Sequence, residues 1–532
     1  MAEPKSHPAI AYHQRTKHHF ERFAASLGYL DWANQPDPFR YYRDCPRVEL
    51  PFLDQDPPLA FANLFHPPTG DPQPVNTASV AGMAELSLAL SAWKRYGDNQ
   101  WALRINPSSG NLHPTESYWL LPQLGGLYHY NPQWHDFARR GELGAQAGET
   151  LCRLCGPQGF LIALSSIPWR EAWKYGERAF RYCNHDIGHA LAALAFAARL
   201  FGWHVRWLPE IADLELETLL GFDRTHWPER EPEYGEALLW VGQGEPPGSR
   251  LPGLPQITVI GEPNRLSRDH QTWPIIDRTV KDCRAPSLRR EPPTQMSFAP
   301  PRQLSSEFTA AEIIRHRRSA QAFDSNGKPM ALGDFLDCLD ACLPRPGQAP
   351  FDLGLGEANL DLFLFVHRVQ DLTPGIYALI RNPEHLEPLR SHTSDDFAWK
   401  PVAEPLPLYR LAEGDAREAA RLLSCQQDIA GDSAFSLGMI GRFRDRVTAD
   451  ASTYRRLFWE AGMIGQVLYL MAEACGLRGT GIGCYFDDPV HQILGISGDD
   501  FQSLYHFTVG VPREDVRLTT LPPYHHLSRA KR

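Results

Sequence analysis

Two stretches of the chain are apolar at nearly every position. Residues 185–203 read HDIGHALAALAFAARLFGW and residues 460–477 read EAGMIGQVLYLMAEACGL, both rich in Ala and Leu and free of Pro. A helix apolar on nearly every face belongs at the centre of a domain, so each stretch predicts a buried helix. Within each, the first glycine leads the last by the same interval, Gly188 to Gly202 and Gly462 to Gly476. Ahead of each helix runs an alternating apolar pattern broken by a turn, SYWLLPQLGGLYHYNPQWHDF in one half and LFLFVHRVQDLTPGIYALIRNPEHLEPL in the other. Both read as strand, turn, strand. Asn111 precedes Tyr128 by 17 residues and Asn359 precedes Tyr377 by 18. These paired spacings predict a tandem duplication in which each half is α+β, an antiparallel sheet flanked by helices around one buried helix. Such a chain can fold as an intrachain pseudo-dimer with a site between its halves.

Pro, Gly and polar residues dominate residues 244–306, which include EPPGSRLPGLP and EPPTQMSFAPPRQLSSE. Repeated Pro blocks helices and ladders, so this stretch reads as a connector between residues 1–243 and 307–532. A length of 532 residues fits two domains. Hydrophobic residues at 43% and charged residues at 22% are ordinary for a globular chain. The formal net charge of −10 argues against nucleic acid as a partner, because phosphate binding needs a basic surface. No apolar run reaches the length of a membrane span, and the first twenty residues have no signal-peptide core, so a cytoplasmic location is expected. The ten cysteines are scattered like reduced thiols. Cys152 and Cys155 have CxxC spacing but lack a second ligand pair, so no metal site is expected. Cys338 and Cys342 read as buried positions one helical turn apart.

Four polar clusters could carry chemistry. Residues 104–114, Arg-Ile-Asn-Pro-Ser-Ser-Gly-Asn-Leu-His-Pro, gather hydroxyls, an amide and a glycine on one turn, which suits a polar ligand ring or a phosphate. The same residue types also cap helices. Arg315, Arg317 and Arg318 lie in a basic run ending at Ser319. Consecutive arginines on a helix diverge, so at most two can converge on a phosphate. Gly479, Gly481 and Gly483 follow the second buried helix and allow close backbone approach to a flat ligand, without Rossmann spacing. Lys174 and Tyr175 precede the first buried helix, either as surface of that segment or as an acid–base pair.

Taken together, NPSSGNLHPTE, GLYHYNP, KYGERAFRY, RHRRSAQAF and GLRGTGIGCYFDD resemble segments of the nitroreductase superfamily of flavoproteins, and more closely its SagB-like or ThcOx-like dehydrogenases. These oxidise azolines in ribosomally made peptides. The resemblance implies two tandem nitroreductase-like domains with FMN at their interface. It implies that the second half supplies Arg317, Ser319, the Gly481-Ile482-Gly483 backbone and either Arg513 or Arg517, while the first half supplies Pro107, Ser108, Ser109 and Asn111, with Arg104 as a ring contact. Gln321 stands where the family often has a basic residue, which removes one charge-assisted contact. Lys174 and Tyr175 match the pair that removes a proton from the azoline, and desolvation would lower the lysine's pKa into a useful range.

The mirror-image site departs from the pattern. Gly354-Leu355-Gly356-Glu357-Ala358-Asn359 replaces the Pro-Ser-Ser-x-Asn turn, and Glu357 would repel a phosphate. Arg15-Thr16-Lys17-His18 replaces Arg-Arg-Ser, and Trp203 and Trp207 stand where the glycines should be. One FMN per chain is therefore expected, with both tryptophans filling the vacated pocket. Three functions fit: an FMN-dependent dehydrogenase of an azoline-like ring in a small molecule or peptide, an NAD(P)H-dependent reductase of nitro, quinone or enone compounds, or a non-catalytic protein that either sequesters flavin or serves as a subunit of a peptide-modifying complex.

Overall fold

A computed structural model describes residues 7–244, 254–289 and 296–528. The N-terminal half contributes strands Arg47–Glu49 (β1), Leu90–Tyr96 (β2), Asn99–Arg104 (β3), Thr115–Leu121 (β4), Gly126–Asn131 (β5), Asp136–Glu142 (β6), Gly159–Ser166 (β7), His204–Trp207 (β8) and Tyr234–Gly242 (β9). The C-terminal half contributes Leu360–Val366 (β10), Gly375–Leu379 (β11), Lys400–Ala403 (β12), Leu406–Glu413 (β13), Phe435–Arg442 (β14), Arg478–Ile482 (β15), Phe501–Gly510 (β16) and Thr519–Leu521 (β17). One seven-stranded sheet has the order β1-β6-β5-β4-β7-β9-β8 and the other β12-β13-β11-β10-β14-β16-β15. The run β5-β4-β7-β9-β8 repeats as β11-β10-β14-β16-β15, so the expected hairpins form and the two halves share one topology.

Eight helices matter below: Pro8–Arg15 (α1), Pro168–Tyr175 (α2), Ala179–Leu200 (α3), Asp213–Leu220 (α4), Pro274–Asp282 (α5), Ala310–His316 (α6), Thr453–Ala474 (α7) and Asp487–Leu494 (α8). The two apolar stretches form α3 and α7, and every residue of α3 is buried. The paired glycines explain their spacing. A Cβ on Gly188 would stand 2.2 Å from the Trp459 carbonyl oxygen and 2.9 Å from the Gly462 Cα; a Cβ on Gly462 would stand 2.2 Å from the His185 carbonyl oxygen. The helices therefore cross backbone to backbone, which only glycine at both positions permits. Gly202 and Gly476, at φ of 75° and 69°, stop the two helices in the left-handed conformation.

One hydrophobic core runs through both halves around these helices, and each sheet covers a smaller cluster on its outer face. The ends of the chain cross over. On α1, His13 contacts Tyr454 and Gln502. At the other end β17 adds to the β2–β3 hairpin of the first half. Tyr524 is buried there and its hydroxyl donates to the Pro132 carbonyl at 3.0 Å. The stretch expected to be a connector holds α5 and packs on both halves: Trp169 Nε1 donates to Ser267 at 2.8 Å and the Leu288 amide to Pro209 at 2.8 Å in the first, and the Arg302 amide donates to Asp340 at 2.9 Å in the second. Its residues 245–253 and 290–295 lie outside the described part. Among the described residues, no helix is long and apolar enough to cross a membrane.

Candidate functional site

A cavity of about 370 Å³ opens where the halves meet, within the roughly 300–1,000 Å³ common for small-molecule sites. Pro107, Ser108, Ser109 and Asn111 line it from the first half, and Arg317, Ser319, Gln321, Gly481, Ile482, Gly483 and Arg513 from the second. Arg104 and Tyr175 line it as well. Residues far apart in sequence and expected to converge do so.

The 107–111 turn is shaped by its own polar groups. Gly110 and Asn111 both adopt a φ of 60°. The Ser109 amide and hydroxyl each donate to Asp186 on α3 at 3.0 Å. Ser108 accepts from the His113 amide at 2.8 Å, and Asn111 Nδ2 donates to the Ala102 carbonyl at 2.8 Å. Burial pushes Asp186 up to about 7 against those serine bonds.

The opposite wall comes from α6 and β15. Arg317 donates to the carbonyls of Arg104 and Ile105 at 2.9 and 3.1 Å and lies over the Tyr469 ring. The Tyr469 hydroxyl joins Ser319 Oγ at 2.9 Å and accepts from the Gly481 amide at 3.0 Å. Ser319 bridges Gly479 as a short parallel addition to the sheet edge. The glycine run after α7 is thus part of a strand. A Cβ on Gly481 would meet the Tyr505 hydroxyl at 1.9 Å, and one on Gly483 would meet the Tyr182 ring at 2.1 Å, so the glycines leave room for these rings.

Of the basic run, Arg317 and Arg318 line the cavity, while Arg315 bridges Asp56 and Glu85 at 2.7 and 2.8 Å. Burial lowers Arg317 and pushes Arg318 down to about 10. Arg104 is also pushed down to about 10 by burial, and it donates to the carbonyls of Pro38 and Thr115. The expected ring contact is therefore largely committed to the scaffold. Its Nε and that of Arg317 are buried without a partner among the described residues, as is the Tyr182 hydroxyl. Lys94 and Arg478, which the sequence reading missed, add further positive charge to the lining. Lys94 stands on a strand with nothing local to mark it, whereas Arg478 directly precedes the glycine run already singled out. Arg517 needs correcting: its side chain is 69% exposed, held by Asp515 at 2.7 Å, and lies outside the lining. Asp515 captures it at short range, and Arg513 alone of the two lines the cavity.

Lys174 and Tyr175 end α2 against the turn. A Cβ on Gly110 would stand 2.6 Å from the Tyr175 hydroxyl and 3.2 Å from Lys174 Nζ. The pair therefore faces this cavity and not its mirror image. Tyr175 is part of the lining, and half-buried Lys174 stands just behind Gly110. Tyr175 packs against Tyr182 with centroids 4.3 Å apart and the rings tilted, and desolvation holds its hydroxyl well above the ordinary range, so it is a proton donor at neutral pH. Glu171, one turn earlier, is buried with both carboxyl oxygens unpartnered among the described residues, and desolvation raises it strongly.

The mirror position is a second cavity, of about 450 Å³, lined by Gly354, Glu357, Asn359, Trp207 and Arg381 among others. The expectation that two tryptophans fill it is corrected. Trp203 is fully buried but packs on Phe160 and Phe201 instead, and Trp207 forms one wall only. Trp203, just before the strand, packs into the core with these rings and leaves the space open. Most of its charges are paired: Arg446 with Glu357 at 3.1 Å, Arg456 with Asp450 at 2.9 Å, and Arg381 with Glu460.

Residues 314–511 match the model of the Nitroreductase family. A nitroreductase-like protein of Anabaena variabilis has a solved structure similar to 95% of this chain and 99% of its own, at 22% identity and a TM-score of 0.69. That likeness shows the nitroreductase fold across both halves. The Escherichia coli microcin synthetase McbBCD complex, with truncated pro-MccB17 bound, matches 42% of this chain and 79% of its own at 16% identity and a TM-score of 0.29. An NADPH:FMN oxidoreductase from Vibrio harveyi matches 38% of this chain and 68% of its own at 15% identity and a TM-score of 0.23. No curated protein matches the chain.

Proposed function

We propose, from the premise that residues 314–511 are a Nitroreductase-family domain and that the whole chain has this fold, that the protein is an FMN-dependent oxidoreductase of the SagB type, acting on an azoline-like ring. The carrying observation is the composite cavity, where the 107–111 turn of one half meets Arg317, Ser319 and Gly481 of the other with Lys174 and Tyr175 alongside. The residues fit FMN. Lys94, Arg317, Arg318, Arg478 and Arg513 outnumber the acids Glu514 and Asp515 in the lining, which suits a phosphate. The unpartnered Nε–H groups of Arg104 and Arg317 and the Tyr182 hydroxyl offer donors to a polar ring.

When bound, FMN would supply a two-electron acceptor. The protein's part is positioning and proton handling. Tyr175 and Lys174 hold the turn and present a hydroxyl and an amine to substrate at its edge. Tyr175 stays protonated and donates a hydrogen bond to the ring heteroatom, while Lys174 takes the proton released as the ring is oxidised. The rings of Tyr182 and Tyr505 exclude water from the same wall.

The test is an anaerobic assay of the FMN-loaded chain with a thiazoline peptide and, separately, with NADH or NADPH. Thiazoline oxidation should fall about 10²-fold or more in Lys174→Met, and neither nicotinamide should bleach the flavin. Rapid bleaching by a nicotinamide, with Lys174→Met unaffected, would replace this reading with an NAD(P)H-dependent reductase. A flavin that no substrate reduces would leave the non-catalytic subunit.

A further inference from the structure

The cavity wall carries two thiols that the proposal above does not use. Cys484 follows Gly483 and lines the cavity. Its Sγ stands 2.7 Å from that of Cys425, which lies 59 positions earlier in the chain. Backbone and side-chain bonds lace the two segments on either side: the Phe486 amide donates to the Leu423 carbonyl at 2.9 Å, and Gln427 Nε2 to the Cys484 carbonyl at 3.1 Å. Cys425 and Gln426 adopt successive φ values of 53° and 59°. Two non-glycine residues running in the left-handed region are strained, and such strain persists where surrounding contacts impose it. Both thiols are half-buried, so small molecules can reach them.

Their surroundings divide the labour. Arg178 reaches the Gly483 carbonyl at 3.3 Å and lies over the Tyr485 ring. Hydrogen bonding from Cys425, with Arg178 behind it, holds Cys484 below the ordinary thiol range despite burial and the nearby Asp487 carboxylate. The Cys484 contact and burial push Cys425 up. A thiolate-prone cysteine backed by a second thiol is the arrangement of an attacking and a resolving cysteine.

We propose that Cys425 and Cys484 form a redox-active dithiol opening onto the cavity, which exchanges two electrons with low-molecular-weight thiols and disulfides. The Cys484 thiolate attacks one sulfur of a small disulfide, whose S–S bond breaks and expels one thiolate, leaving a mixed disulfide. Cys425 gives up its proton and attacks the Cys484 sulfur, expelling the second thiolate. Two protein thiols become one disulfide, one small disulfide becomes two thiols, and the cysteine protons end on the departing sulfurs. The reverse sequence restores the pair. Any passage of these electrons to a flavin rests on the FMN reading; the dithiol itself does not.

The full chain, reduced and freed of reductant, is treated with oxidised glutathione, alkylated and mapped by mass spectrometry. The expected result is joint loss of both thiols as a linked 425–484 peptide, reopened by dithiothreitol without denaturant. In Cys425→Ser, Cys484 should stop at the mixed glutathione disulfide. Both thiols staying free in oxidised glutathione would overturn the proposal, as would a crosslink that opens only on unfolding. Bound flavin is measured on the same sample. Reversible closure without flavin upholds the dithiol and defeats the FMN reading, whereas flavin without closure defeats the dithiol alone.

Discussion

Asp186 shows how a single buried group can shape the cavity. It accepts from the Ser109 amide and hydroxyl, and its second oxygen has no partner among the described residues. Its pKa is raised from 3.8 to about 7, so between those values the folded protein binds a proton that the unfolded chain has released. Stability from this group is present below about pH 4 and falls as pH rises toward 7. Denaturant titrations should show that decline flattened in Asp186→Asn relative to the native chain; parallel curves would mean the carboxyl is already ionised in the fold. The turn itself was legible in the sequence because Pro, Ser, Gly and Asn cluster there. Arg317 and Ser319 were legible through the family resemblance of RHRRSAQAF, since the basic run alone could be a solvated face. Lys94 and Tyr469 were not, because single residues on a strand and a buried helix carry no local pattern; Arg478 stood beside the glycine run, whose backbone alone drew attention. Whether Arg513 or Arg517 belonged to the site turned on Asp515, a neighbour whose grip on Arg517 depends on loop geometry.

At the scale of elements, α3 and α7 were legible as apolar runs, but α7 begins seven residues before the run that revealed it. Its first turns carry Arg455 and Arg456, whose charge interrupts the apolar pattern. Arg455 is in fact buried, paired with Asp213 and Glu236 of the other half at 2.6 and 2.9 Å. The glycine spacing was visible without its meaning, which lies in the helix crossing. Gly188→Ala must push α7 away, because the added carbon meets backbone and no flexible side chain. Overpacking of this kind costs about 1–3 kcal/mol or more, and Gly462→Ala should cost a similar amount. Chemical denaturation of either variant measures it, and a change below about 0.5 kcal/mol would mean the helices are not in contact there. The run 479–483 was read for close backbone approach without a secondary structure, because glycine-rich strands are unusual; here Tyr505 and Tyr182 occupy the space the missing side chains leave.

Across the whole molecule, the duplication extends to its ion pairs. Arg181 is the third residue of α3 and pairs with Asp487, the first of α8; Arg455 is the third residue of α7 and pairs with Asp213, the first of α4. Each central helix thus sends an arginine into the opposite half. Burial alone would raise Asp487, but Arg178 and Arg181 outweigh it and hold it well below the usual carboxylate range. Asp487→Asn strands two buried guanidinium groups and should cost about 3–5 kcal/mol, read from denaturant unfolding; a loss under about 1 kcal/mol would mean the pair is effectively solvated. With one core running through both halves, neither half has a complete interior alone. The duplication was legible in sequence because apolar spacing repeats, while the open mirror cavity was not, because the direction Trp203 faces depends on tertiary packing.

The central claim is that one composite cavity holds one flavin, and flavin stoichiometry tests it most directly. The chain soaked with FMN, desalted and assayed by visible absorbance should carry about one FMN. Arg317→Ala should lose it, and Trp207→Ala, in the mirror cavity, should not. A ratio near two, or flavin lost from Trp207→Ala and kept by Arg317→Ala, would contradict the account.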